Sequence, residues 1–425
     1  MDINHELFDF VEKSPTAYHA VAAVKAELVD NGFEELYEYE NWSLSEGGKY
    51  FVTRNGTSII AFVISEAKGG FMIAASHSDS PSFRLKITPE CSGAYTRLET
   101  EKYGGMIYYS WLDRPLSLAG RLVVRTEEGI EAKLVNIDRD LAVIPSVAIH
   151  MNRGVNDGYK FNPATDMLPL VASAGEKDIT LSELAKIAGV LPEDIISHDL
   201  FLYNREKGRV FGAKNEFILS PRLDDIECVF ASMKAFLSCK NACAVPVLAI
   251  FDNEEVGSET KQGAASTFLA DVLTRIEPNL EKYKQMLSNS FMISADNAHA
   301  KHPNHPELAD ADNAPLLNGG VVIKWNANQK YATDGISDAF FKTVAKRAGA
   351  KIQTYYNRAD MPGGSTLGSI SNTKVSVPTV DIGLSQLAMH SASETAGSAD
   401  LCELIKVLRE FFATAISRRA DQLIF

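Results

Sequence analysis

Apolar residues recur at helical spacing near both ends of this chain and form short uninterrupted runs between them. Leu7, Phe10 and Val11 predict a first helix broken at Ser14-Pro15, and a second helix follows from Thr16 to about Asn31. Residues 50–75 carry short β-type runs. From Ile87 to about Val147 the pattern is strand-like and turn-rich, as in Arg121-Leu122-Val123-Val124-Arg125 and Glu131-Ala132-Lys133-Leu134-Val135. Residues 181–198 predict a short helix-turn-helix segment, and Val210 to Ser220 is again extended. From Asp225 onward long helices alternate with buried strands. Leu401, Leu404, Ile405, Leu408, Phe411 and Phe412 mark a final helix over about 399–418. The pattern predicts a discontinuous α/β domain, residues 1–90 and 214–425, interrupted by a mainly β insertion, residues 91–213.

Three apolar runs share one property: each ends in polar residues able to hold a metal. Val245-Pro246-Val247-Leu248-Ala249-Ile250 leads into Asp252-Asn253-Glu254-Glu255, Phe71-Met72-Ile73-Ala74-Ala75 into His77-Ser78-Asp79, and Phe291-Met292-Ile293 into Asp296. Open α/β sheets build their sites at such C-terminal strand edges. Singly, each segment is ordinary: a polar loop, a solvated acidic pair, an Asp after a strand. Together they predict one site assembled from distant segments.

The residue types narrow its chemistry. Glu254 and Glu255 repel unless a cation or proton intervenes. In an extended segment they point opposite ways, which suits one metal ligand and one general base. Asp79, two residues from His77, is placed to orient that imidazole. Asp224 and Asp225 precede an apolar helical run, so one of the pair is read as a helix cap and the other, Asp224, as a ligand. Against His77 and His390 as neutral ligands, Asp224, Glu255 and Asp296 bring three negative charges, enough to nearly balance two divalent ions. Nitrogen and carboxylate donors without thiolates suit Zn2+, with Co2+ or Mn2+ as alternatives. His299, His302 and His305 have a tempting spacing, but Pro303 and Pro306 break any helix that could align them, so they are read as structural or supporting residues.

Size and composition set the remaining bounds. At 425 residues the chain exceeds one ordinary core. A net charge of −13 without a Lys/Arg cluster disfavours nucleic acid as a partner. No run approaches the about 18 apolar residues of a membrane span. No secretory leader is apparent, and five cysteines without a CxxC fit thiols in a reducing cytoplasm. Gly364-Ser365-Thr366-Leu367-Gly368 does not match the G-x-S-x-G of serine hydrolases.

Ser76-His77-Ser78-Asp79-Ser80-Pro81, Ser220-Pro221-Arg222-Leu223-Asp224, Asp252 to Ser258, Ser294 to Ala300 and Gln386 to Ser391 occur in an order that resembles the aspartyl aminopeptidase family of dinuclear zinc exopeptidases, in its bacterial form. The resemblance implies a three-layer zinc-exopeptidase domain with a mainly β dimerisation insertion. It implies two Zn2+ per subunit: one on His77, Asp224 and Asp296, the other on Asp224, Glu255 and His390, with Asp224 bridging. Glu254 is then the general base, and Asp79 steers His77. By the same resemblance, His150 reaches a neighbouring subunit's active site, dimers assemble into a dodecamer, and peptides with a free acidic N-terminus are the substrates. Lys324 resembles the family's pocket lysine, Tyr331 lies nearby, and Gly363 and Gly364 sit in a segment like its substrate-contacting loop. The alternative is a related dinuclear-metal aminopeptidase or deacylase with non-acidic specificity.

Overall fold

The computed structural model describes residues 2–425 except 68, 92, 177, 241 and 242. The chain forms two compact units: 1–79 with 208–389 and 394–425, and 80–207 with 390–393.

The first unit is built on a nine-stranded sheet. Its centre consists of the parallel strands Val245–Phe251, Phe71–His77, Phe291–Ala295 and Thr379–Gly383, side by side in that order. These strands are largely apolar because both faces are covered. Ile60, Ile73, Val247 and Ala249 pack against the helices Phe268–Ile276 and Leu280–Ser288. Ile59, Ala74, Leu248 and Ile250 pack on the opposite side with residues of Leu223–Leu237, Gly335–Ala348 and Asp400–Ala413. The result is helix, sheet, helix: the three-layer α/β architecture expected. The final helix ends at Ala413, earlier than its pattern suggested, and residues beyond it form the small hairpin Ser417–Arg419 with Gln422–Ile424.

Register aligns the ends of the central strands. Phe251 pairs with His77, and Ser294 pairs with Ala75 and with Asp381. The residues that follow therefore leave the sheet at one edge. A five-stranded sheet of short strands ties down this edge. Phe217–Ser220 pairs with Glu394–Gly397, and Ala298–His299 with Ser385–Leu387.

The second unit is a six-stranded antiparallel sheet over a core that includes Phe83, Leu98, Trp111, Leu118, Leu122 and Leu200. The strand Ser82–Cys91 lies wholly inside it, paired with Tyr95–Tyr103, so the change of unit comes after Asp79. The predicted helix-turn-helix at 181–198 is corrected here. Ile179–Ala188 is helical, but Ile195–Asn204 is a strand paired with Leu116–Arg125, because that long-range partner claims a segment whose local pattern is ambiguous.

One glycine shows how tightly the site's edge is packed. A Cβ on Gly383 would lie 1.9 Å from the carbonyl oxygen of Asp296 and 2.9 Å from the Cα of Asn297, both backbone atoms that cannot swing away. Gly383→Ala is expected to destabilise the protein by about 3 kcal/mol. The urea midpoint reads this directly; a change within about 0.5 kcal/mol would mean that the strands separate freely there.

Candidate active site

His77 ends its strand fully buried. Its backbone N–H donates to Asp225 Oδ2 at 3.0 Å, which fixes the end of the strand. Its Nε2 lies 3.5 Å from Asp224 Oδ1 and 3.8 Å from Asp296 Oδ1. Its Nδ1 is 3.0 Å from the carbonyl oxygen of Asp79 and 3.4 Å from Asp79 Oδ1. Asp79 thus holds the outer nitrogen mainly through its backbone and leaves its carboxylate for another task. That carboxylate accepts the backbone N–H of Glu254 through Oδ1, at 3.1 Å, and of Glu255 through Oδ2, at 3.2 Å.

The two glutamates are not extended, as their sequence context suggested; they open a 3-10 turn, Glu254–Val256. The strand breaks because Asn253 adopts a left-handed φ of 63°, a conformation that Asn tolerates well. Asn253 Oδ1 accepts from Thr260 Oγ1 at 2.8 Å and from Gln262 Nε2 at 2.9 Å, which locks the turn. The same Gln262 amide donates to buried Asp252 at 3.2 Å.

Neither Asp224 nor Asp225 caps the following helix, so the expected cap is corrected. Asp224 N–H donates to buried Glu394 at 3.0 Å, and Asp225 joins the cluster. Ligand atoms of His77, Asp224, Asp225 and Asp296 all lie within 4.8 Å of one another, as do those of His77, Glu254 and Glu255. Asp225 is the residue that sequence reasoning missed. Its position beside Asp224 was the signal, and the cap reading hid it.

So many buried acids strain one another's ionisation. Burial, then Asp296, Asp79 and Asp224, outweigh the opposing pull of His77 and push Glu254 up to about 8. Burial and Asp224 likewise raise Glu255, and burial raises Asp225. Burial alone would depress His77, but the charges of Asp225, Asp224, Asp296 and Asp79 lift it well above the usual imidazole range. A divalent cation relieves the same conflict without protons. Convergent imidazole nitrogen and carboxylate oxygens, buried and free of thiolates, are a donor set that fits zinc.

Other expected residues stand as follows. Lys324 is buried, and its ammonium donates to the carbonyls of Asp296 at 2.6 Å and Asn297 at 3.2 Å. It lies 3.4 Å from Asp296 Oδ2 and 5.3 Å from the centre of the Tyr331 ring. Burial would lower its pKa, but Asp296 foremost raises it above the ordinary lysine value, so the charge is permanent. Gly363 and Gly364 lie in the loop before Thr366, where a Cβ on Gly363 would crowd Asn357 at 2.6 Å. His299, His302 and His305 line one cavity of about 240 Å³. In the second unit, His390 has its Nδ1 2.6 Å from the carbonyl of Gly105, and His150 stands in an exposed turn.

Comparisons with known proteins place the whole chain in one family. Residues 10–412 match the family model described as aminopeptidase I zinc metalloprotease (M18). A probable M18 family aminopeptidase 2 of Clostridium acetobutylicum is 46% identical, covering 97% of this chain and 99% of its own. The namesake of Pseudomonas paraeruginosa is 38% identical, covering 97% and 99%. Among solved structures, one determined as an Ape4 and Nbr1 complex matches with a TM-score of 0.93 at 38% identity, over 96% of this chain and 85% of that one. The dodecamer of mApe1 from S. cerevesiae matches at 0.84 and 29% identity, over 97% and 96%. The chain belongs to the M18 family of zinc metalloaminopeptidases.

Proposed function

We propose that this zinc metalloaminopeptidase removes acidic N-terminal residues, Asp or Glu, from peptides, with Glu254 as general base. The observation that carries the reading is the Glu254–Glu255 turn held by Asp79 beside the His77 cluster. In this reading His77, Asp224 and Asp296 hold one zinc, and Asp224, Glu255 and His390 a second. Zinc held by these residues would polarise the scissile carbonyl and lower the pKa of a water, so that it attacks as hydroxide. Glu254 takes the proton of that water and delivers it to the departing amine nitrogen. Asp79 keeps Glu254 and Glu255 at fixed distances from His77, so neither needs to search for its position. The permanent charge of Lys324, with Tyr331, Gly363 and Gly364 around the substrate, favours an acidic first side chain. His150 from a neighbouring subunit stabilises the developing oxyanion.

Self-association through the second unit belongs to the same reading; the dodecamer of a relative supports the self-association itself. A cytoplasmic location fits the absence of disulfides among the described cysteines. Among the described residues no helix is long and apolar enough to cross a membrane. One observation favours the second reading, an aminopeptidase or deacylase of non-acidic specificity: the Lys324 ammonium already serves the carbonyls of Asp296 and Asn297.

Initial rates on Asp-, Glu-, Leu- and Lys-p-nitroanilide, with metal-free protein and after zinc addition, separate the two. Cleavage confined to Asp and Glu is expected; a preference for Leu would transfer the assignment to the second reading. Glu254→Gln is expected to lower kcat by about 10²–10⁴-fold with zinc content unchanged, and a near-normal rate would remove Glu254 from the role of base.

Metal-free protein should show a characteristic pH dependence. Glu254, at about 8 against an ordinary 4.5, holds its proton more tightly in the folded chain, as do Asp252 at about 7 and Glu227 at about 8. Their contribution is complete below pH 4.5 and is lost as pH rises to 8. The melting temperature of metal-free protein should therefore fall between pH 6 and pH 8, and zinc should flatten the decline. A melting temperature that rises over that interval would contradict the crowding of acids.

A further inference from the structure

Asp381 has no place in the metal cluster, yet it is fully buried in the middle of the apolar strand Thr379–Gly383. Its Oδ1 accepts from Thr366 Oγ1 at 2.6 Å, and its Oδ2 accepts the backbone N–H of Ala332 at 2.5 Å. Its own N–H donates to Thr333 Oγ1 at 3.0 Å. A Cβ on Gly368 would come within 2.7 Å of its carboxylate, so the start of the helix Leu367–Ser371 is packed directly on the carboxyl group. One carboxyl group thereby anchors two separate segments. The first runs on from Lys324 and carries Tyr331. The second is the loop that carries Gly363 and Gly364 and ends at Thr366.

The far end of that loop, Met361 and Pro362, forms part of the wall of the cavity of about 240 Å³, together with His299 and Tyr355. Tyr355 also faces Tyr331, with ring centroids 6.3 Å apart. His299 follows Asp296 by three residues, so the cavity begins no more than about 10 Å of chain from the cluster. The loop therefore borders this space directly, and the Tyr331 segment stands behind its Tyr355 wall.

Resting on the reading of Tyr331, Gly363 and Gly364 as substrate contacts, we propose that Asp381 is a positioning residue for substrate selection. It ties both segments to the sheet and so sets the shape of the substrate-side cavity. Its accepted hydrogen bonds from Thr366 and Ala332 are buried, so the loss of one leaves a carboxyl oxygen without a partner away from water. No metal ligand takes part in them, so substrate affinity and metal retention should separate on mutation.

Thr366→Val removes one of these bonds and leaves the carboxylate in place. It is expected to raise KM for the preferred anilide by about tenfold, with kcat within about twofold and zinc content unchanged. Thr366→Ser, which retains the hydroxyl, should restore KM. Asp381→Asn should shift KM in the same direction and narrow the preference among N-terminal residues. Unchanged KM and selectivity in Thr366→Val would overturn the proposal. So would parallel loss of zinc and kcat, which would make Asp381 a support of the metal centre instead. If wild-type protein shows no acidic preference, the acidic reading fails by itself. The KM of Thr366→Val on whichever anilide is cleaved still decides the role of Asp381.

Discussion

The site depends on holding mutually repelling carboxylates at one sheet edge, and Asp79 is the group that makes this geometry definite. Its carboxylate meets the backbone of Glu254 and Glu255, not their side chains. The two glutamates are thus fixed through their backbone, where the chain is stiffest. The Asp79 carbonyl faces the His77 ring at the same time. One residue therefore couples the end of one central strand to the turn that follows its neighbour, and a shift in either moves the other.

Charge placement follows the same logic further out. The Lys324 ammonium sits against the carbonyls of Asp296 and Asn297 and close to the Asp296 carboxylate, within a wall of buried acids. A buried cation is costly unless its donors are satisfied, and here backbone oxygens satisfy them. The backbone around Asp296 is thereby held from the Lys324 side by an ammonium and from the Gly383 side by bare close packing. The ligand has little freedom to adjust.

How much of this the sequence shows depends on how local each cause is. The strands Phe71–His77, Val245–Phe251 and Phe291–Ala295 are legible because burial on both faces leaves an unbroken apolar run. That the polar residues after them converge is legible too, since parallel strands share an edge. What is not legible is set by distant partners. Ile195–Asn204 reads ambiguously until Leu116–Arg125 pairs with it. The Glu254 turn needs Thr260 and Gln262 to stabilise Asn253. Asp225 looked like a cap because nothing local reveals that its carboxylate meets the backbone of His77, far away along the chain. Asp381 left a trace that went unread: a lone acid inside an apolar strand.

The order of the central strands carries a consequence for biosynthesis. Phe71–His77 lies between Val245–Phe251 and Phe291–Ala295, and Thr379–Gly383 completes the row. Its first strand is made early, but both neighbours of that strand emerge well over a hundred residues later. An N-terminal fragment that ends before Asp224 cannot present His77 to Asp224, Asp225 or Asp296. Donors for an ion come together only when the sheet is nearly whole, so metal capture is a late event that distinguishes a finished chain from an unfinished one. Until then this largely apolar strand waits without its native partners, and that interval is when the nascent protein is most exposed to aggregation.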